Sequence, residues 1–246
     1  MAEASGLVDG ESEKSRQDKD FETIAREVAV AAREQGGDPD ENLRLRLAIR
    51  RAEDANMPED AIETARLRGT GKVEGPNYDE VTYEGYGPDG VAVFVEAITD
   101  DKSRTQEELS ALFEQYGGNL GEDGCVAWQF EHRGLVEVDA DDIEDPDEFM
   151  LEVIEMGADE LRDPIYETRE SGQVPTYRVY CKYQDLHDLA AALEDAGYGV
   201  HDASPIREAT QKVGLERDRA RNFLKFYEKL SNHEDVQHAY ANWESA

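Results

Sequence analysis

The basic side chains between residues 44 and 72 are the candidates for binding an anionic partner. The candidate cations are Arg44, Arg46, Arg50, Arg51, Arg66, Arg68 and Lys72. A spacing of four places Arg46 and Arg50 on one helical face. Such a stripe could track the phosphates of a nucleic acid. It could equally form ion pairs on a solvated helix surface, and spacing does not choose between the two. The candidate partners for such pairs are Glu41, Glu53, Asp54 and Glu63.

The net charge argues against a polyanionic partner, but only when it is taken over the whole chain. The 246 residues carry 58 acidic and 26 basic side chains, for a formal charge of -32. Affinity for phosphate normally comes from Lys and Arg, which release counterions. Residues 1–79 hold 19 acids and 12 bases, whereas the remaining 167 residues hold 39 acids and 14 bases. The charge therefore predicts weak, salt-sensitive contact with nucleic acid, confined to the N-terminal domain.

Other chemistries find little support in the sequence. Residues 85–90 match the spacing G-x-G-x-x-G, but a strand follows them, and Pro88-Asp89 has turn chemistry, which favours a hairpin. Residues 117–121 could bind an anion with their amides, yet a helix C-cap and turn is the favoured interpretation. Neither zinc spacing nor a nucleophile, Walker or H-E-x-x-H motif occurs. We expect no enzyme activity, no cofactor and no metal.

Composition also predicts the compartment. No apolar run approaches the about 18 residues that a membrane span requires, and the N-terminus lacks the pattern of a signal peptide. We therefore expect a cytoplasmic protein that contacts no membrane. The 18 arginines against 8 lysines, with abundant carboxylates, would suit a salt-rich cytoplasm. That halophile-like composition predicts loss of structure in low salt.

The apolar spacing predicts three N-terminal helices after a mobile acidic tail at residues 1–19. The first helix starts at Phe21 and ends at Gly36-Gly37. Asp38 is expected to cap the second, with Pro39 at its first position, and Asn56 to end it. Pro58 is expected to begin the third, which stops at Gly69. Together they predict a small helical domain at residues 20–78.

The spacing of apolar residues changes from a period of 3.6 to a period of 2 near Tyr78, which predicts strands. A hairpin, a helix at residues 104–116 and a strand at 125–130 follow. The order βαββαβ over residues 134–204 is the ferredoxin-like pattern. The last helix and strand would complete the middle domain. We therefore predict an α+β fold with a three-helix domain and two ferredoxin-like α/β sandwich domains, one inserted in the other. The middle domain would comprise 79–133 and 208–246, and the inserted domain 134–207.

Long motifs resemble the YebC family, which includes mitochondrial translational activators of cytochrome oxidase. They are NLRLRLAI, ANMPEDAIETA, YEGYGPDGV and GGNLGEDGCVAW, in this order. The similarity is close over residues 21–139, weaker to 207, and returns at 235–244. The resemblance implies the same three-domain fold and a function without catalysis. It implies either DNA-binding transcriptional regulation or action at the ribosome to relieve stalling at proline-rich sequences.

The chain departs from the family in its N-terminal segment. Relatives usually begin with a basic arm that contains His-Ser-Lys-Trp, whereas residues 1–19 contain neither His nor Trp. The only bases there are Lys14, Arg16 and Lys19. If that arm contacts nucleic acid in relatives, this chain has lost much of the contact.

Two functions remain open from the sequence. The first is a regulator of gene expression that binds DNA, ribosomal RNA or the ribosome through the arginines of its helical domain, on phosphates and not on bases. The second is a protein-interaction module whose acidic α+β domains bind basic partners without touching nucleic acid.

Overall fold

Apolar residues at helical spacing build the N-terminal third. The computed structural model describes residues 13–140, 143, 145–169 and 172–246. The first helices are α1 (Glu13–Gln35), α2 (Leu43–Asp54) and α3 (Glu59–Gly69). Val28, Leu45 and Ile62 contribute one buried side chain from each helix to a shared core. Three helices around one apolar core make the predicted helical domain.

Two helix starts differ from the prediction. α1 already begins at Glu13, so residues 13–19 continue the helix, while residues 1–12 of the predicted tail lie outside the described residues. α2 begins at Leu43 and not near Pro39, because Asn42 is the N-cap. The Asn42 side chain accepts a hydrogen bond from the Leu45 N–H at 3.0 Å and donates to the Ala31 carbonyl at 2.9 Å. A buried Asn with partners on two helices outcompetes an exposed Asp as the cap.

The middle domain is a four-stranded antiparallel sheet in the order β3-β1-β2-β9. Two helices cover one face, and Phe113 and Phe226 meet there edge to face at 4.9 Å. The C-terminal strand pairs with β2, from Val93 opposite Ala241 to Ala97 opposite Val236. The chain thus returns to the middle sheet, as the sequence predicts. The elements are β1 (Asp79–Tyr86), β2 (Ala92–Thr99), α4 (Lys102–Gln115), β3 (Asn119–Leu120), α7 (Arg217–Ser231) and β9 (Val236–Ala241).

Between β3 and α7 the chain builds a second antiparallel sheet, in the ferredoxin-like order β5-β6-β4-β7. Its core contains Val136, Phe149, Val179 and Leu189. A small parallel pair, β8 with β10, lies beside the middle sheet. The fold class predicted from the sequence is confirmed. The elements are β4 (Phe130–Asp139), α5 (Pro146–Glu155), β5 (Glu160–Arg169), β6 (Gly172–Lys182), α6 (Leu186–Asp195), β7 (Val200–Ala209), β8 (Val213–Leu215) and β10 (Trp243–Ser245).

The predicted strand at residues 125–130 is wrong. Residues 121–129 form a loop with a short 3₁₀ turn, and β4 starts only at Phe130. The buried carboxylate of Glu84 accepts the N–H groups of Gly124, Val126 and Ala127 at 2.7–2.8 Å. Because a side chain takes these donors, no strand partner is needed. The predicted domain boundaries at 133/134 and 207/208 fall inside β4 and β7, which pair with each other.

Candidate nucleic-acid interface

The arginines of α2 point into contacts within the protein. Arg46 Nη2 lies 2.8 Å from Glu194 Oε2 on α6, and its Nη1 donates to the Pro39 carbonyl at 3.0 Å. Arg50 donates to the carbonyl of Val200, the first residue of β7. The apolar side of the contact is completed by Leu47, which belongs to the core of the inserted domain. The face predicted to track phosphates is therefore a contact between domains.

Arg51 is the most strongly held of these cations. It lies 2.6 Å from Glu27 on α1 and 2.6 Å from Asp202 on β7. Burial acts to lower the pKa of Arg51, but Glu27 and Asp202 outweigh it and raise that pKa. Burial acts to raise the pKa of Asp202, and Arg51 reverses this, so the carboxyl pKa lies below its usual range. The charged pair is stable because each partner offsets the desolvation of the other.

Arg44 forms a third contact of the same kind. Its guanidinium pairs with Glu34 at 2.8 Å and with Glu80 at the start of β1. Burial lowers its pKa, but the hydrogen bond and charge of Glu80 give a net rise. The ion-pair alternative drawn from the sequence thus holds for Arg44, but with carboxylates that are distant in sequence. Of the four acids proposed as partners, Glu63 pairs with one of the predicted arginines, Arg66, at 2.7 Å.

The end of α3 leaves cations accessible. Arg68 and Lys72 are exposed and make no salt bridge to any residue that the structure describes. The Arg68 stem lies over Gly75, where a Cβ would come within 2.9 Å of Arg68 Cδ. Arg66 is half-buried and bonded to Glu63, whose pKa it lowers, with a smaller effect from Lys72. Arg68 and Lys72 are thus the exposed members of the predicted set, whereas the Arg66 side chain is no more exposed than those of the α2 arginines.

A shallow cleft of about 540 Å³ opens beside them, between the α1–α2 loop and the end of α3. Gly37, Pro39, Arg66 and Lys72 line it together with the carboxylate of Asp38. That carboxylate accepts the N–H of Asp40 at 3.1 Å, which holds the loop in a tight turn. The cleft can receive an anionic group beside Arg66 and Lys72, at some cost from Asp38.

The remaining motifs behave as structural features. Residues 85–90 form the turn of the β1–β2 hairpin, where Asp89 and Gly90 adopt positive φ values of 59° and 78°. The glycines at 117–118 end α4 and lead into the edge strand β3, and a Cβ on Gly118 would meet the Tyr86 carbonyl at 2.4 Å. Both interpretations drawn from the sequence are confirmed.

Three side chains lie close enough to one another that they could hold a metal ion. Ligand atoms of Glu108, His233 and Asp235 lie within 4.8 Å of one another. Asp235 is fully buried, and its carboxylate pairs with Arg104 at 2.9 Å and with Arg26 of α1. These guanidinium partners already satisfy the carboxylate, so the group ties the helical domain to the middle domain.

The thiols are not activated. Burial raises the pKa of Cys181 to about 11, and it also raises that of Cys125. Cys181 is buried in β6, whereas Cys125 lies partly buried in the loop before β4. Neither thiol has the lowered pKa of a nucleophile.

A cationic row on α7 is not among the residues predicted from the sequence. Arg217, Arg221, Lys225 and Lys229 recur at every fourth residue and are all exposed. That spacing could have been found in the sequence. Averaging the charge over the acidic residues 80–246 concealed it.

Comparison with known proteins decides the family. The profile of the TACO1/YebC N-terminal domain matches residues 11–72, and that of the second and third domains matches residues 78–243. The chain belongs to the TACO1/YebC family. Its strands, helices and domain order are therefore those of a known three-domain architecture.

Individual relatives support this family assignment. A probable transcriptional regulatory protein of Pelotomaculum thermopropionicum is 42% identical over 227 residues, covering 92% of this chain and 90% of the relative. A probable transcriptional regulatory protein of Dictyoglomus turgidum is 39% identical over 230 residues, which cover 94% of this chain and 89% of the relative. The crystal structure of a conserved hypothetical protein from Aquifex aeolicus superposes with a TM-score of 0.80 at 33% identity, covering 99% and 98%. Among the residues that the structure describes, no helix has the length and apolar character needed to cross a bilayer.

Proposed function

We propose that this TACO1/YebC-family protein is a non-enzymatic, cytoplasmic regulator of gene expression that contacts the phosphates of DNA through the end of α3. The observation that carries the proposal is the exposure of Arg68 and Lys72 beside the cleft at Arg66, where no carboxylate of another domain pairs with them. The names of the relatives, probable transcriptional regulatory proteins, favour DNA as the partner. Phosphate contacts of this kind position a protein without reading sequence.

The test must leave the domain contacts intact. Replacing Arg46, Arg50 and Arg51 by Glu would abolish their pairing with the inserted domain, so lost binding could reflect a disturbed fold. The double variant Arg68→Gln/Lys72→Gln removes only exposed charge. We expect its log–log salt dependence of DNA binding to be less steep by about 2, since each phosphate contact contributes about 0.9. Unchanged affinity and slope would reject the site.

The family resemblance also implies a role at the ribosome, and ribosomal RNA presents the same phosphate chemistry. Cross-linking in native salt distinguishes the two roles by the molecule captured. Capture of DNA supports the proposal. If wild type captures ribosomal RNA and the variant Arg68→Gln/Lys72→Gln does not, the same site acts in translation and the transcriptional role is rejected.

A second function is favoured by a separate observation on α5. Met150, Leu151 and Ile154 are exposed by 42%, 66% and 51%, although all are apolar. Acidic residues surround them: Asp147, Glu148, Glu152 and Glu155. An apolar patch with an acidic rim suits a basic protein surface with an apolar anchor.

The two functions separate in one experiment. A pull-down in native salt is repeated after nuclease treatment and with the variant Leu151→Ser/Ile154→Ser. Partners that survive digestion but are lost with this variant support the protein-interaction function. Partners that disappear on digestion and persist with the variant support nucleic-acid binding.

A further inference from the structure

The segment from 212 to 229 has a charge unlike that of its surroundings. It holds six of the 14 basic residues that follow residue 79, against three acids. The bases are Lys212, Arg217, Arg219, Arg221, Lys225 and Lys229, and the acids are Glu216, Asp218 and Glu228. The rest of the chain beyond residue 79 is strongly acidic, so a polyanion is repelled from most of this half and attracted only to α7.

Four of these cations form a row along the helix. Arg217, Arg221, Lys225 and Lys229 are spaced by four residues, so neighbours lie about 6 Å apart along the axis and the row spans about 18 Å. We call these four residues the α7 row. All of them are exposed. A row at this spacing presents evenly separated positive charges on one side of a straight helix.

The opposite side of α7 fixes the row in place. Phe223, Phe226 and Leu230 are fully buried against the middle sheet, and Ala220 is nearly so. Tyr227 adds a hydrogen bond from its hydroxyl to the Ala239 carbonyl on β9. Since this face is committed to the core, α7 can neither rotate nor insert into a lipid surface. The outward side carries the cations together with the half-exposed Leu224 and the exposed Asp218, Asn222 and Glu228.

The α7 row has no ion-pair partner within the described part of the protein. No carboxylate oxygen of the described residues lies within 4.0 Å of any of its four cations. Asp218 and Glu228 share the outer half of the helix but do not pair with the row. Arg219, which is outside the row, lies 3.6 Å from Asp89. The charges of the row are therefore available to an external anion.

A rigid duplex is the polyanion that this geometry favours. The cations are held on a straight helix, and a duplex holds its phosphates in an equally rigid array with a charge per about 1.7 Å of axis. A flexible acidic peptide or single strand would lose conformational entropy on aligning with the row. Between a DNA duplex and an RNA duplex we choose DNA, because the relatives are named probable transcriptional regulatory proteins.

We propose that the α7 row is a second DNA-phosphate surface, located on the middle domain and separate from the end of α3. The proposal rests on the proposed function in that both require binding to DNA. It adds a domain and a set of residues to which neither the relatives nor the sequence motifs point. With both surfaces engaged, the backbone contact extends from the helical domain to the middle domain.

The test uses the full chain and a labelled mixed-sequence DNA duplex of about 20 base pairs, titrated by fluorescence anisotropy across a range of KCl concentrations. The variant Arg217→Gln/Arg221→Gln/Lys225→Gln/Lys229→Gln should bind at least tenfold more weakly at about 0.1 M salt, with a salt slope reduced by about 2 to 4. The matched control Arg217→Lys/Arg221→Lys keeps the charge and should bind like wild type. Thermal melting of each variant checks the fold.

The outcomes separate this proposal from the proposed function. Weaker binding in the α7 variant with unchanged binding in Arg68→Gln/Lys72→Gln supports the α7 row and rejects the α3 site. The reverse result rejects the row, and no binding by wild type at low salt rejects both. Tenfold tighter binding to duplex RNA of the same sequence, or to phosphatidylserine vesicles, also overturns the proposal.

Discussion

α2 and α7 carry similar sets of cations but use them differently. The arginines of α2 pair with carboxylates and carbonyls of α1, β1, α6 and β7, whereas the α7 row has no such partner among the described residues. α2 lies between two domains, and α7 has only one side against the protein. The comparison teaches that clustering of arginines along the chain does not measure their availability. The availability of the arginines depends on which elements pack against the helix.

The largest effect should come from reversing a charge in the α2 contact. Arg51→Asp places a carboxylate beside Glu27 and Asp202, and we expect it to lower the free energy of unfolding by about 3 kcal/mol or more. The double variant Arg51→Asp/Asp202→Arg should recover about half of that loss, since one pair is restored. Urea denaturation measures both. Arg221→Asp on α7 is the matched control, with a change of about 0.5 kcal/mol or less. Equal losses at Arg51 and Arg221 would refute the contrast between the helices.

Acid should weaken the α2 contact. The folded pKa of Asp202 is depressed, so its contribution to stability is complete above the unfolded pKa of about 3.9 and is lost as pH falls through the folded pKa. Glu27 and His201 lie at the same contact, with His201 3.7 Å from Asp54. We expect Asp202→Asn to be less stable than wild type at neutral pH and to lose less stability between about pH 5 and 2. A wild-type loss identical to that of the variant would contradict this assignment.

Salt should affect the charges of the two helices differently. Exposed charges are screened at a Debye length of about 3 Å in 1 M salt, whereas partly buried pairs are screened much less. DNA binding by the α7 row should therefore vanish in 1 M KCl, while the destabilisation caused by Arg51→Asp persists. The melting temperature of wild type should rise over the same titration, because its net charge of -32 is screened. A flat melting temperature would reject adaptation to a salt-rich cytoplasm.

The smallest effect is expected at Arg219. Its guanidinium is 3.6 Å from Asp89, and the side chain is 68% exposed. Exposed pairs contribute little because solvent screens them and two side chains lose freedom. Arg219→Gln should change stability by less than about 0.5 kcal/mol in urea denaturation. A loss as large as that of a substitution at Arg51 would show that α7 is also a structural contact.

Much of the fold could be predicted because its signals are local. The apolar period of α1–α3, the hairpin turn at Pro88–Gly90 and the βαββαβ order each depend on residues close together in the chain. The errors came where a distant side chain intervened. Asn42 starts α2 by bonding to α1, and Glu84 takes the donors of residues 124–127, which removes the expected strand. The tail at residues 1–12 remains a prediction, as do the domain boundaries.

The candidate site shows the same division. The amino-acid sequence is enough to locate the cations, to assign the helix face that they share, and to indicate a family of three-domain proteins. Which of these cations are available to a partner depends on how the domains pack. Arg51 meets Asp202 across 151 residues of chain, and such a meeting depends on how domains pack. Spacing along a helix shows which way a side chain points from the helix axis. The electrostatic free energy of an arginine depends instead on the carboxylates that folding places around it.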